Sequence, residues 1–88
     1  HIDPVKWDGS IENSIMDLVK PVIDDYTVGA IQDLGIMKEN GVVANISFEI
    51  PCSVEFMQKE EVEIKLNLKL SHTYPQCKIE IKFINQIN

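Results

Sequence analysis

The sequence predicts a small α+β domain, and three observations carry that reading. An apolar stripe at helical spacing opens the chain, an Asn-Gly dipeptide joins two runs of strand-forming residues, and the chain closes on a strictly alternating run. With 88 residues there is room for one core and no second domain. The chain divides into a lead at 1–9 that reads as a tag remnant or a disordered segment, a domain at 10–84, and a tail at 85–88.

The first element is a helix. In SIENSIMDLVKPVIDD, Ile11, Ile15, Leu18, Val19 and Val22 recur at steps of three and four, which gathers them on one face. Ser10 is the expected N-cap, with Glu12 and Asp17 on the side that the helix dipole favours. Pro21 is expected to kink or end the helix, because it lacks a backbone donor and restricts Lys20. Asp24 and Asp25 then open a loop.

Leu34 to Glu39 and Val42 to Ile50 flank Asn40-Gly41, the dipeptide suited to the positive φ angles of a type I′ turn, so a hairpin is expected. On its second strand Val42, Ala44, Ile46, Phe48 and Ile50 alternate with more polar neighbours and should share the buried face. Pro51 is expected to end the pairing and to leave Cys52 in a loop. The stretch MQKEEVEIKLNLKLS supports two assignments. Val62, Ile64, Leu66, Leu68 and Leu70 alternate with polar residues as in a strand, yet Glu, Lys, Leu, Met and Gln favour a helix and Glu61 with Lys65 is a good helical pair. Period alone leans to strand, which gives a four-stranded sheet with one helix. Cys77 to Ile84, with Ile79, Ile81 and Phe83 alternating against Glu80 and Lys82, is the final strand.

Composition narrows the function classes. A net charge of -6, with every cation a lysine, opposes phosphate-backbone binding and bidentate recognition by arginine. The chain has no phosphate-cradling glycine loop, no nucleophile elbow and no closely spaced zinc cysteines. Outside the lead, His72 is the only histidine, and nothing in the sequence sets it beside a serine or cysteine nucleophile. Asp24 and Asp25 read as solvated turn residues. Two cysteines without secretory marks argue for a reducing compartment.

Cys52 is the candidate with chemistry. A free cysteine ordinarily packs as a small apolar residue. Here the thiol follows a strand-ending proline and precedes a helix that could begin at Ser53, where the dipole would favour a thiolate able to bind metal. Cys77 reads as a packed or incidental thiol. Two cysteines cannot complete a four-thiolate iron-sulfur site, so a metal role needs a second copy or a partner.

The order VIDDYTVGAIQDLGIMKENG, a strand, IPCSV, a Leu and Lys-rich segment, YPQ and a short β-run resembles the small iron-sulfur cluster assembly domain family over residues 10–84. That family includes the bacterial SufT and PaaD proteins, the cytosolic iron-sulfur targeting factor and the N-terminal domain of Mrp-type scaffold P-loop ATPases. Val22-Ile23-Asp24 matches its first motif with Asp25 where proline is usual, Asp33-Leu34-Gly35 matches its second, and Pro51-Cys52 stands in its cysteine loop without the usual threonines. The resemblance implies helix-strand-strand-helix-strand with a three-stranded mixed sheet, and therefore a helix over Ser53 to Leu70. Such a helix has one stripe at Val62, Leu66 and Leu70 and a second at Ile64 and Leu68 that calls for a partner.

The function implied is iron-sulfur cluster assembly, as a scaffold or transfer domain excised from a larger Mrp-like ATPase. Cys52 would be the metal or transfer thiol of a transient or shared iron-sulfur cluster, and Asp24, Asp33, Gly35 and Ser53 would shape the loop around it. The domain itself would not be an enzyme. Its implied partners are a P-loop ATPase domain, assembly proteins, apo-clients or a second copy, in the cytoplasm or a plastid-type organelle. The alternative from another class is an acidic adaptor that docks assembly partners through its charged surface and exposed apolar stripe without binding metal. A cysteine hydrolase is a distant third.

Overall fold

A computed structural model describes residues 9–86; the lead at 1–8 and the last two residues of the tail lie outside the described residues. The elements run α1 (Ser10–Ile23), β1 (Gln32–Glu39), β2 (Val42–Cys52), α2 (Lys59–Thr73) and β3 (Lys78–Asn85). The sheet order is β1-β2-β3, antiparallel between β1 and β2 and parallel between β2 and β3, with α2 as the crossover. This is the α+β order implied by the resemblance, and the four-stranded alternative is set aside because residues 59–73 form a helix.

α1 buries Ile15, Val19 and Ile23 along one face. Gly9, not Ser10, occupies the cap position in the left-handed conformation (φ 72), and its carbonyl accepts the Asn13 N–H at 2.9 Å. Pro21 does not end the helix, which continues to Ile23. So close to the C-terminus the proline removes a single ladder donor, and burial of Ile23 sustains the last turn.

The hairpin turns where expected: Asn40 (φ 53) and Gly41 (φ 78) both take positive φ, as a type I′ turn requires. Its buried face differs from the simple alternation. The pairing moves from Met37↔Asn45 to Lys38↔Val43, which leaves Ala44 as an extra residue in β2. That bulge turns Val43 inward and Val42 out to solvent, while Ile46, Phe48, Ile50 and Cys52 hold the core side beyond it.

Both helices cover this one face. Val62, Leu66 and Leu70 of α2 are fully buried against it, together with the α1 stripe and Phe56. The other face of the sheet carries Ser47, Glu49, Glu80 and Lys82, and it bears a depression of about 240 Å³ that Asp33 also lines. No helix among the described residues is long and apolar enough to cross a membrane.

Candidate functional site

Cys52 is the last residue of β2, not a loop residue, and its side chain is 0% exposed within the core cluster. The reason lies at Pro51. The Pro51 carbonyl accepts the Gly29 N–H at 2.8 Å, and the Cys52 carbonyl accepts the Gln86 N–H at 3.2 Å on the opposite edge. The missing amide of Pro51 therefore points to the side where β1 has already ended, since the last β1 pair is Gln32↔Glu49. No ladder bond is lost on that edge, and β2 runs on beside β3 to the Cys52↔Asn85 pair. Asn85, assigned from sequence to the tail, belongs to the sheet.

The second expectation about Cys52 is also corrected. α2 begins at Lys59 and not at Ser53, so Cys52 does not immediately precede its N-terminus. Ser53 is half-buried and starts a turn in which its carbonyl accepts the Phe56 N–H at 3.2 Å.

The remaining loop-shaping candidates are placed as follows. Asp24 caps α1 with its backbone N–H to the Lys20 carbonyl, and its carboxylate lies 2.9 Å from Lys20 Nζ in an exposed ion pair. Asp33 sits at a second bulge, between Gln32 and Gly35, in the left-handed region at φ 53. Asp33 lines the open face of the sheet, whereas Cys52 faces the helices, so the sheet separates them. Gly35 pairs with Ser47, and a Cβ there would stand 3.0 Å from Ser47 Oγ. The Asp33-Leu34-Gly35 motif thus shapes the start of β1 rather than the surroundings of the thiol.

Cys77 lies just before β3, half-buried, with its Sγ 3.4 Å from the Lys78 carbonyl. Burial pushes its pKa up, and a backbone hydrogen bond at Ile46 partly offsets the shift. Among the described residues no three His, Cys, Asp or Glu side chains are grouped to hold a metal ion. The described donors of one copy therefore do not complete an iron-sulfur cluster.

One cluster was not singled out from the sequence. The Tyr26 hydroxyl donates to Glu61, Lys65 Nζ stands 5.2 Å over the Tyr26 ring, and Glu61 and Lys65 approach to 3.7 Å. The hydrogen bond to Tyr26, before any charge effect, holds the Lys65 ammonium above its ordinary pKa. Tyr26 also meets Phe56 edge-on, with centroids 6.2 Å apart, and Phe56 tilts against Phe83. This set ties the loop after α1 to α2 and to β3. The Glu61 and Lys65 spacing was visible in sequence, but the tyrosine that joins them is 35 residues away from Glu61.

Comparison of the chain with protein-family models, with curated proteins and with solved structures finds no match.

Proposed function

We propose that this domain is a docking adaptor of the iron-sulfur cluster assembly type, which engages assembly partners through its acidic surface and holds no metal alone. The observation that carries the reading is the complete burial of Cys52, which makes the thiol a core side chain and leaves surface chemistry as the means of action. With a net charge of -6, the domain suits a basic partner surface, and electrostatic steering would speed their encounter.

A second reading retains Cys52 as the transfer thiol of a scaffold. It is favoured by the element order, which agrees with what the resemblance implies. In that reading the turn at 53–58 has to open before the sulfur is reachable, and the other thiolates come from a second copy or a partner.

Anaerobic reconstitution with iron and sulfide, comparing the wild type with Cys52→Ala, separates the two. The adaptor reading expects visible absorption in neither protein, and equal absorption in both would mean that the chain binds iron without Cys52 and would overturn it. Absorption present in the wild type and lost in the variant overturns it in favour of the scaffold. Binding to a purified basic assembly partner should weaken as salt rises from 0.05 to 0.5 M, both values being order-of-magnitude choices spanning the range where screening changes most.

A further inference from the structure

The tip of the β1-β2 hairpin joins two chemically matched groups. Asn40 is the only asparagine of the chain that a glycine follows. A bond between its side-chain carbonyl carbon and the main-chain nitrogen of Gly41 would close an unstrained five-membered ring. A side chain on the following residue ordinarily hinders that closure, and Gly41 has none. Both residues are exposed, and even a Cβ added at Gly41 would meet nothing within 4 Å. Water and base therefore reach the pair.

A type I′ turn fixes the dihedrals of both residues, so ring closure waits for the turn to loosen. The tip is held weakly. Its first pair is Glu39↔Val42, and both side chains are exposed, Val42 by 59%. Unzipping that pair uncovers no buried group. Lys38↔Val43 follows, and the bulge at Ala44 then interrupts the register, so two pairs alone separate the turn from an existing break in the ladder. Segments with so few buried contacts lie at the low end of local stability. The other asparagines among the described residues are held in regular elements: Asn13 in α1, Asn67 in α2, Asn45 in β2 and Asn85 in β3. Asn67 Nδ2 also donates to the Glu63 carbonyl at 2.8 Å.

We propose that the Asn40-Gly41 turn is a site of spontaneous covalent modification, in which water converts Asn40 to a mixture of aspartate and isoaspartate. The Gly41 nitrogen loses its proton to base and attacks the Asn40 side-chain carbonyl carbon. The new C–N bond closes a succinimide as the side-chain nitrogen leaves as ammonia. Water then adds to one of the two ring carbonyls. Cleavage at the side-chain carbonyl gives aspartate, and cleavage at the main-chain carbonyl gives isoaspartate. The net change is amide plus water to carboxylate plus ammonium, with no oxidant or reductant. Either product adds one negative charge to a chain already at -6. Isoaspartate also lengthens the main chain of the turn by one carbon, which a two-residue turn cannot absorb without displacing its flanking pair. This inference is independent of the docking and metal readings.

The test is to hold the native full chain at 37 °C, roughly physiological temperature and below the usual unfolding range, at neutral and at mildly alkaline pH, with a parallel sample in urea. Peptide mapping by mass then reads each asparagine. The native sample should lose the amide at Asn40 and at no other described asparagine, faster at the higher pH, and the product should accept methyl groups from an isoaspartyl methyltransferase. Mapping also sets aside Asp8-Gly9, whose isomerisation leaves the mass unchanged. Gly41→Ala should convert more slowly than the wild type, because its methyl hinders ring closure, and its loosened turn can only work against that result. Circular dichroism confirms that the variant is folded. The proposal is overturned if native Asn40 stays intact over the time in which the urea sample converts, since the turn then protects it. It is equally overturned if other described asparagines convert as fast, if the rate does not rise with pH, or if Gly41→Ala converts as fast as the wild type.

Discussion

Cys52 and Cys77 stand at opposite ends of one parallel strand pair: Cys52 is in register with Asn85, whereas Cys77 immediately precedes Lys78, the partner of Asn45. Seven strand steps at about 3.3 Å separate those two pairs, roughly 23 Å. The two thiols of a single copy therefore cannot form a disulfide or share a metal, and they should behave as independent reporters.

Labelling of the native protein with iodoacetamide should modify Cys77 and spare Cys52, which is fully buried. Cys52 should react only in denaturant or through transient opening. Peptide mapping of the labelled chain checks this, and rapid native modification of Cys52 would mean that the turn at 53–58 opens readily.

Labelling at Cys77 should also depend on pH in a shifted way. Burial raises its pKa, so the thiolate accumulates only above the ordinary thiol range, and the rate should keep rising beyond the pH at which a free cysteine levels off. The stability consequence has the matching sign. In the unfolded chain the thiol ionises at lower pH than in the fold, so its contribution is intact below the unfolded pKa and is lost as pH rises through the folded one. Urea titrations of wild type and Cys77→Ala at neutral and alkaline pH should show the variant losing less stability on going alkaline.

A core role for Cys52 makes a prediction opposite to chemical intuition about isosteres. Cys52→Ser sets a hydroxyl in an apolar cluster and should cost about 1–3 kcal/mol through desolvation. Cys52→Ala should cost less, since it removes one sulfur and adds no polar group. Denaturant midpoints rank the pair, and a serine variant more stable than the alanine one would contradict the packed reading.

The two stripes of α2 should separate cleanly in energy. Leu66→Ala removes a fully buried side chain and should destabilise by about 2–5 kcal/mol, whereas Leu68→Ala, 70% exposed, should stay within about 0.5 kcal/mol for the monomer. At the hairpin turn, Gly41→Ala meets no neighbouring atom yet must adopt φ 78, so it should cost about 1–2 kcal/mol through backbone strain alone.

What was readable from sequence divides by range. The hairpin was legible because Asn40-Gly41 is a local signal that needs no tertiary partner. α2 was not legible from period, and the reason is arithmetic. Val62, Leu66 and Leu70 are a helical stripe, but Ile64 and Leu68 fill the intervening even positions and turn the set into a strand pattern. Only the fold shows which of the five are buried. The misreading of Pro51 has a comparable origin. A strand-breaking proline is tolerated here because β1 stops two residues earlier, a fact about a neighbouring strand that the local sequence does not contain. The bulge at Ala44 likewise exchanged the burial of Val42 and Val43 through a register shift between strands.

The central strand of this sheet is completed last. β2 receives β1 through a two-residue turn, but its other edge waits for β3, which arrives only after the α2 crossover. Closing that long connection is the slow entropic step, so the hairpin is expected to form early and the parallel pair late. During synthesis, Ile46, Phe48 and Ile50 stand along an unpaired edge until residues 78–85 have left the ribosome, and a chain cut short before β3 retains that sticky edge permanently. The last strand pairs that edge and takes the edge position itself, shielding the most buried strand of the sheet from association with other chains.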